Sequence, residues 1–415
     1  MSQNISKRSQ SITILVAALG YFVDIFDLQL FNIVSKTSLK GIGITDPAMV
    51  DHYDYALFLW QMSGMLVGGL VWGIIGDKFG RRKILFGSIL LYSLANIGNA
   101  FVTDIYSYQL MRFVAGLGLA GELGAAITLV NEIMHKEKRG YGTMVIVTMG
   151  ALGAVATGAM NSLQLEWMGL AQWQTMYIIG GVLGLSLLAL RAGTHESGMF
   201  ETLKLGNVSR GNFRSLFSNR DRALTYLACI GLGLPVWCCV GLLMKFARDF
   251  VKVGSVNAEV FDFPTAIAWT YIGLSVGDLL SALFSQWFRS RKKVILAYLI
   301  ITVLVVALYL SISGVTNTVF YLMYFLLGAA TGYWALFVTI ASETFGSNIR
   351  ATVTTTVPNF VRGATVPIVL GFQALKPYTG LHGAAAIIST VCIFIAFLSW
   401  MKLKETFGRD LNFND

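Results

Sequence analysis

Gly73-Ile74-Ile75-Gly76-Asp77-Lys78-Phe79-Gly80-Arg81-Arg82-Lys83 is a short basic loop that lies between two long apolar segments. Its second part, Gly80 to Leu85, has a counterpart about 210 residues later in Ser290-Arg291-Lys292-Lys293-Val294-Ile295. Two further pairs recur in the same order and at a similar distance: Glu132 with Arg139 and Glu343 with Arg350, then Glu196-Ser197 and Glu405-Thr406. Duplicated halves packed around a central site produce such a pattern.

The composition excludes a water-soluble protein. Hydrophobic residues make up 55% of the 415 residues and charged residues only 13%, too few to cover a surface that faces water. The apolar runs are long enough for helices that cross a hydrocarbon core of about 30 Å, and they lack the alternation of barrel strands. We therefore predict an all-α membrane protein with twelve transmembrane helices in two pseudo-symmetric six-helix halves. The expected spans are 11–34, 56–76, 84–102, 106–130, 141–163, 171–190, 223–247, 264–287, 293–313, 318–341, 351–374 and 380–401.

The lysines and arginines predict the orientation, because cytoplasmic loops hold the excess of basic residues. Most of the 31 fall in the tails and in the loops on one side, which places both termini in the cytoplasm and accounts for the net charge of +9 without nucleic acid. The expected units are an N-terminal half at 1–191, a polar linker at 192–222 and a C-terminal half at 223–415. Cys229, Cys238, Cys239 and Cys392 fall inside spans, so we expect neither a metal site nor a cofactor.

Charges inside the spans predict the mechanism, since each costs at least about 2.5 kcal/mol there. We expect four acids to couple protons: Asp24, Asp27, Glu122 and Asp278. Asp27 with Arg112 is a plausible switchable pair, in which protonation of the acid frees the arginine for an anion. Arg112, Arg362, Tyr21, Trp237 and Tyr333 are the expected substrate-binding residues. The alternative is that Asp24 and Glu122 only join helices by hydrogen bonds and that the aromatic rings only pack.

The loop residues predict a gate. Glycines permit a tight turn, Asp77 can accept hydrogen bonds from a neighbouring helix N-terminus, and paired arginines bind carboxylates. The expected gate residues are Gly73, Asp77, Gly80, Arg81, Arg82, Glu132, Arg139, Glu343 and Arg350. The alternative is an ordinary solvated loop. In the second copy, Gln286 and Trp287 stand near the position of Asp77, so that copy has lost the acid.

This loop resembles the Gly-x-x-x-Asp-Arg/Lys-x-Gly-Arg-Arg motif of the major facilitator superfamily, and that resemblance implies a latch that holds the outward-facing state. Gly20-Tyr21-Phe22-Val23-Asp24-Ile25-Phe26-Asp27-Leu28 resembles the opening of its metabolite:proton and aromatic acid:proton symporters. Arg112-Phe113-Val114-Ala115-Gly116 and Gly121-Glu122-Leu123-Gly124 resemble motifs of the same branch. Asp24, Ile25 and Leu123 depart from the branch pattern.

The expected function is secondary transport rather than catalysis. We expect symport of protons with a small organic metabolite, an anion, by alternating access in a bacterial inner membrane. The expected partners are this substrate, protons and the lipid bilayer, and the expected state is a monomer. Two alternatives remain open: a uniporter or exchanger that moves no protons, and a nutrient sensor that has lost transport, which the short tails disfavour.

Overall fold

A computed structural model describes residues 7–134, 139–191, 211–255, 261–409 and 413, with only the backbone described at 7–10, 81–82, 131, 139–140 and 255. Within these residues the only β-pairing is an isolated bridge between Trp167 and Leu170, so the all-α prediction is confirmed. Ten of the described helical segments are long and apolar enough to cross a membrane. The last of them runs for 53 residues and turns back at Gly380, where φ is +70°, so it contains two spans. The helix Arg81–Asn99 supplies the remaining span of the twelve.

The described residues of the N-terminal half form seven helices, of which two together form the fourth span. They are α1 Lys7–Gly41, α2 Pro47–Phe79, α3 Arg81–Asn99, α4 Ile105–Leu119, α5 Glu122–Ile133, α6 Arg139–Ser162 and α7 Gln172–Leu190. Helix α2 begins where Asp46 accepts hydrogen bonds from Ala48 N and Met49 N and where Pro47 occupies the first turn. Gly80, with φ of +104°, makes the tight turn between α2 and α3.

The C-terminal half repeats this plan. Its long helices are α8 Arg220–Cys238, α9 Phe263–Trp287, α10 Arg291–Ser311, α11 Asn317–Ala330, α12 Trp334–Thr344, α13 Arg350–Gly363 and α14 Thr365–Lys402, and a short α-helix, Ala247–Phe250, lies between α8 and α9. Helix α8 contains Pro235 and continues as a π-helical turn, Cys239–Leu243. The linker prediction lies outside the described residues for 192–210; Phe213–Phe217 forms a short 3-10 helix.

Both halves contain a span that is broken inside the bundle. Span 4 breaks between α4 and α5, and span 10 breaks between α11 and α12. At the second break, Asp278 Oδ1 accepts from Ala335 N at 2.9 Å and so caps the start of α12. Broken helices at the centre expose backbone groups and helix ends to a site between the halves.

The halves are joined most extensively where α2 packs on α13 and where α6 packs on α9, and α5 also packs on α13. Glycine permits the closest approach, since a side chain at Gly73 would overlap Thr352 and one at Gly124 would overlap Thr355. We call the end of the bundle where α1 begins and α14 ends the termini side. The opposite end, where α1 ends and α2 begins, is the far side.

Candidate functional site

Arg362 lies at the centre of the molecule, between the two halves. Its Nη2 is 3.9 Å from Asp24 Oδ2 and 3.4 Å from the Tyr21 hydroxyl, both on α1, and its Nη1 is 3.4 Å from Asn359 Oδ1. Its Nε meets no hydrogen-bond acceptor among the described residues. Arg362 and Asp24 are each only 1% exposed. A buried guanidinium with such long contacts makes only weak hydrogen bonds, so it can bind an anion that approaches more closely.

Two tryptophans complete the surroundings of Arg362. The guanidinium carbon lies 5.8 Å from the ring centre of Trp237 and 5.6 Å from that of Trp334. The two indole rings are 6.3 Å apart and are tilted by 58°. Trp237, one of the expected substrate-binding residues, therefore lies beside Arg362. The arrangement presents one cation beside flat apolar surfaces, which suits a planar ring that carries a carboxylate.

Asp27 and Arg112 do not form a direct ion pair in the described structure. Asn96 lies between them: its Oδ1 accepts from Arg112 Nη2 at 3.1 Å, and it is a neighbour of Asp27. Arg112 Nε also donates to Asn99 Oδ1 at 3.0 Å, and its guanidinium carbon lies 4.9 Å from the ring centre of Tyr177. Within the described residues, neither oxygen of Asp27 accepts a hydrogen bond, and Arg112 Nη1 donates none. This centre lies inside the N-terminal half rather than between the halves.

Asp24 and Asp27 are thus neighbours on α1 with different surroundings. Asp24 faces Arg362 of the other half, whereas the Asp27 carboxyl packs against Gly180 of α7. Residues three apart on a helix have Cβ atoms about 5–6 Å apart. One helix turn therefore connects a site between the halves to a buried polar centre within one half.

The remaining predicted central residues have partners of their own. Glu122 forms a buried ion pair with Arg191 at the end of α7, with Arg191 Nη1 donating to Glu122 Oε2 at 2.9 Å. Asp278 caps α12, as described above. The Tyr333 hydroxyl donates to Leu232 O at 3.1 Å and ties the break in span 10 to α8. These three side chains join helices in the described structure.

Asp77 closes the termini side. Its Oδ1 accepts from Ala351 N at 3.1 Å, and its Oδ2 accepts from Thr352 N at 2.8 Å and from the Thr352 hydroxyl at 2.7 Å. An acid of the first half therefore caps the N-terminus of α13 in the second half. A carboxylate at a helix N-terminus is stabilised by the unpaired amides and by the helix dipole.

A second contact between the halves lies beside Asp77. Arg350 Nη1 is 3.8 Å from Glu132 Oε1, and both side chains are fully buried. The hydroxyls of Thr128 and Thr354 form a hydrogen bond one helix turn closer to the centre of the bundle. The side chains of Arg81, Arg82 and Arg139, which we also predicted as gate residues, lie outside the described part of the structure.

Glu343, by contrast, contacts residues of its own half. Arg291 Nη2 pairs with Glu343 Oε1 at 3.2 Å, and the Thr406 hydroxyl donates to Glu343 Oε2 at 2.8 Å. Glu405 caps α10 through Arg291 N at 2.9 Å. Burial raises the pKa of Glu405, but hydrogen bonds from the Ser290 hydroxyl and from backbone amides outweigh it and hold that pKa below its usual range. Gln286 Nε2, near the position equivalent to Asp77, has no partner within the described chain.

Lys245 closes the far side. Its Nζ lies 3.1 Å from Asp54 Oδ1 of the first half, and the two side chains are 3% and 5% exposed. The ammonium also lies over the rings of Phe31 and Phe58, at 5.5 Å and 5.2 Å from their centres. Ser35 donates to the same Asp54 oxygen at 2.5 Å. Lys245 lies near the end of the expected span 223–247, and nothing in the sequence indicates its partner.

Further contacts between the halves surround Lys245. The rings of Tyr55 and Phe246 stack with centres 4.7 Å apart, and Gln29 Nε2 donates to the Tyr271 hydroxyl at 2.6 Å. The halves therefore meet on the far side and on the termini side at once. The structure is closed at both ends around the central Arg362.

We expect Asp54→Asn to open the far side. The change leaves the Lys245 ammonium buried without a counter-charge in the closed state, whereas water solvates it in the open state. A cysteine in place of Met62, on α2 between the Asp54 and Asp77 contacts, reports this in a background without the four native cysteines. Its labelling from the far side by an impermeant maleimide should rise about 5- to 150-fold, the range of typical coupling energies. Asp249→Asn is the control, because Asp249 pairs with Lys376 within one half. Equal labelling in both variants would show that the Lys245–Asp54 pair does not hold the far side closed.

Sequence reasoning missed several of these residues, for identifiable reasons. Asn96, Asn99 and Tyr271 are uncharged polar residues in apolar helices, and nothing in the sequence separates them from packing residues. Arg191 and Asp54 stand at span ends, where charges are usual. Their burial results only from the packing of distant helices.

Comparison with known proteins connects this geometry to a family. The family model described as the Major Facilitator Superfamily matches residues 17–367. A putative niacin/nicotinamide transporter, NiaP, of Bacillus subtilis (strain 168) is 26% identical over 405 residues, covering 92% of this chain and 94% of its own. A probable 4-methylmuconolactone transporter of Cupriavidus pinatubonensis is 25% identical, with 94% and 89% covered.

Solved structures share the fold. The proton:xylose symporter XylE superposes with a TM-score of 0.71 at 16% identity, with 98% of each chain covered. The E. coli fucose:proton symporter FucP gives a TM-score of 0.73 at 14% identity, with 95% of this chain and 99% of that chain covered. At these identities the likeness concerns the fold alone.

Proposed function

The chain belongs to the Major Facilitator Superfamily and is a transporter of small organic compounds, and we propose that it moves a small organic anion together with a proton. The observation that carries this proposal is the contact between Arg362 and Asp24 across the two halves. The Arg362 guanidinium lies 3.9 Å from the Asp24 carboxylate, which protonation can neutralise. When a proton neutralises Asp24, the substrate anion takes its place as the counter-charge of Arg362.

The proposed substrate is a planar organic acid. Arg362 supplies a fork of N–H donors for its carboxylate, and Trp237 and Trp334 supply flat surfaces for its ring. Tyr21 adds a hydroxyl beside the same guanidinium. Relatives named for niacin, 4-hydroxybenzoate and benzoate agree with this choice and provide the probes.

The proposed proton acceptors are the two acids of α1. Two carboxylates one helix turn apart resist being ionised together, so one proton distributes between them. When Asp24 is ionised it holds Arg362. When the proton lies on Asp24, Arg362 is free to bind the substrate carboxylate, so substrate and proton occupy the site together. Asp27 accepts the proton on its way in, and Arg112 stabilises the ionised form of Asp27.

The two closed ends fit alternating access. Asp77 with Glu132 and Arg350 forms one gate, and Asp54 with Lys245 forms the other. Opening either gate alone exposes the Arg362 site to one side. We place the termini side in the cytoplasm, because the basic loops lie there, and the protein as a monomer in a bacterial inner membrane. Glu122 and Asp278, the other two acids expected from the sequence to couple protons, each hold a helix partner in the closed state, so we assign the transported proton to Asp24 and Asp27.

A proton-independent uniporter or exchanger is the alternative. Partners such as Arg191 for Glu122 show that buried acids in this fold also serve structure. The two functions differ in whether a pH gradient drives accumulation.

The test uses the purified protein in liposomes with radiolabelled niacin and 4-hydroxybenzoate. We expect an acidic exterior to drive accumulation of at least one of them above its external concentration, and an ionophore that collapses the gradient to abolish it. Uptake that only equilibrates, at the same level with and without the gradient, would favour the uniporter. Protein-free liposomes measure passive entry of the acids.

Arg362→Gln should lose substrate binding. Hydrogen bonds to a charged group contribute about 1.5–3 kcal/mol, so the dissociation constant of the bound probe should rise about 10- to 150-fold. Calorimetric titration of the detergent-solubilised protein measures it. Lys376→Gln, which removes a far-side cation, is the matched control. Unchanged affinity in Arg362→Gln would remove Arg362 from the binding site.

A further inference from the structure

A line of buried hydroxyl groups connects the far-side gate to the polar centre at Asp27. The Tyr177 and Tyr108 hydroxyls are 2.6 Å apart, and the Tyr108 hydroxyl is 2.8 Å from Ser38 Oγ. Ser38 also donates to the backbone oxygen of Ser35, whose own hydroxyl donates to the gate residue Asp54. Each of these four hydroxyl side chains is at most 1% exposed. The line joins α1, α4 and α7 within one half.

The inner end of this line reaches the Asp27 centre. The Tyr177 ring lies beneath the guanidinium of Arg112, with 4.9 Å between the ring centre and the guanidinium carbon. The Asp27 carboxyl packs against Gly180, which follows Tyr177 by three residues on α7 and hence by about 4.5 Å along the helix. The unpartnered oxygens of Asp27 and the unpartnered Nη1 of Arg112 offer the acceptors and the donor that a bridging water needs.

We propose that Ser38, Tyr108 and Tyr177 conduct the transported proton between the far side and Asp27. This inference rests on the proposed function, because it assumes that Asp27 takes up a proton. It goes beyond that function by assigning the route of the proton. The side chains of this route do not contact Arg362, where the substrate is proposed to bind.

The transfer conserves every atom. When Lys245 separates from Asp54, water reaches Ser38, and a hydronium gives its proton to the Ser38 oxygen. Ser38 passes its own proton to Tyr108, Tyr108 to Tyr177, and Tyr177 through a bridging water to an Asp27 oxygen. The hydronium becomes water, the Asp27 carboxylate becomes the acid, and the three hydroxyls end neutral.

The groups around Asp27 fit its role as the proton acceptor. Asp24 on its own helix repels a second negative charge, and Arg112 of α4 attracts one. The phenols of Tyr92 on α3 and Tyr177 on α7 face the same acid. Tyr92 has no hydrogen-bond partner among the described residues, whereas Tyr177 belongs to the line that leads to the gate.

The second half contains a matched pair that lacks such an acid. The Tyr309 and Tyr324 hydroxyls are 2.7 Å apart and equally buried, with the rings of Phe250 and Phe320 around them. No hydrogen bond among the described residues joins this pair to a carboxylate or a guanidinium. Tyr324→Phe therefore removes a matching hydrogen bond between two tyrosines without changing any residue of the proposed route.

The experiment compares Tyr177→Phe, Tyr108→Phe and Tyr324→Phe in the reconstituted full-length protein. The probe is radiolabelled niacin or 4-hydroxybenzoate, whichever the wild type accumulates. We expect the first two variants to slow pH-driven uptake at least about 10-fold, as the loss of a proton-transfer group does. Exchange of labelled for unlabelled probe at equal pH should stay within about twofold, because fully loaded exchange needs no net proton transfer. Tyr324→Phe should retain both rates.

Each other outcome has a definite meaning. Wild-type pH-driven uptake in Tyr177→Phe, together with its loss in Asp27→Asn, would overturn the route and leave the proposed function standing. An equal loss in Tyr324→Phe would show that packing, not proton transfer, explains the effect and would also overturn it. A wild type that does not respond to pH would remove both the route and the symport. Exchange that persists in a variant shows that the variant is folded.

Discussion

Asp27→Asn should abolish accumulation against a gradient. A difference of one pH unit stores about 1.4 kcal/mol per proton, enough to concentrate a monovalent anion about tenfold by electroneutral symport with one proton. The asparagine keeps the size of the side chain but cannot take up a proton, so the accumulation ratio should fall to 1. Exchange of labelled for unlabelled probe should remain measurable, because Arg362 and its tryptophans are unchanged. The measurement is the steady-state ratio in liposomes with an acidic exterior.

Asp278→Asn is the matched control for this variant. Asp278 is equally buried, and its Oδ1 accepts from Ala335 N, which an asparagine oxygen can also do. We expect this variant to accumulate the probe like the wild type. Accumulation that survives in Asp27→Asn, or disappears equally in both variants, would contradict the assignment of Asp27.

Asp77→Asn should shift the protein towards states that are open on the termini side. Asparagine loses the charge that stabilises the cap on α13, and the closed state loses about 1–3 kcal/mol, a shift of about 5- to 150-fold in the ratio of states. The cysteine in place of Met62 should label faster from the termini side and more slowly from the far side. Right-side-out and inverted vesicles give the two rates.

Gln286→Ala is the control for this gate. Gln286 stands near the position equivalent to Asp77, and its Nε2 has no partner in the described residues, so its removal breaks no gate contact. We expect its labelling rates to equal those of the parent protein from both sides. Equal shifts in the two variants, or no shift in Asp77→Asn, would show that the closure does not depend on Asp77.

The sequence was sufficient for the fold, since apolar runs of membrane length repeat in two halves and need no tertiary information to be recognised. Span ends were harder to predict. Helix α1 continues to Gly41, whereas the apolar run was expected to end at 34, because Ser35 and Ser38 have buried partners. Polar residues inside a bundle extend a helix beyond the segment that hydropathy marks.

The site could be predicted in part. A charge in an apolar helix stands out, so Arg362, Asp24 and Asp27 were recognisable, and the repeated loop revealed Asp77. Which charged side chains contact each other depends on how each helix is rotated about its axis, and a single sequence does not show that rotation. Asp27 was therefore expected to contact Arg112 directly, but Asn96 lies between them, and Asp24 rather than Asp27 meets an arginine of the other half. The Lys245–Asp54 gate joins residues 191 positions apart and had no local signal.

The most direct test of proton symport measures the proton itself. Liposomes containing the protein and a pH-sensitive dye receive external niacin or 4-hydroxybenzoate at equal internal and external pH, with protein-free liposomes and Asp27→Asn liposomes as references. Symport predicts that the lumen acidifies as the transported probe enters, faster than in either reference. Entry of the probe through the wild-type protein with no more acidification than in the references would contradict coupled transport.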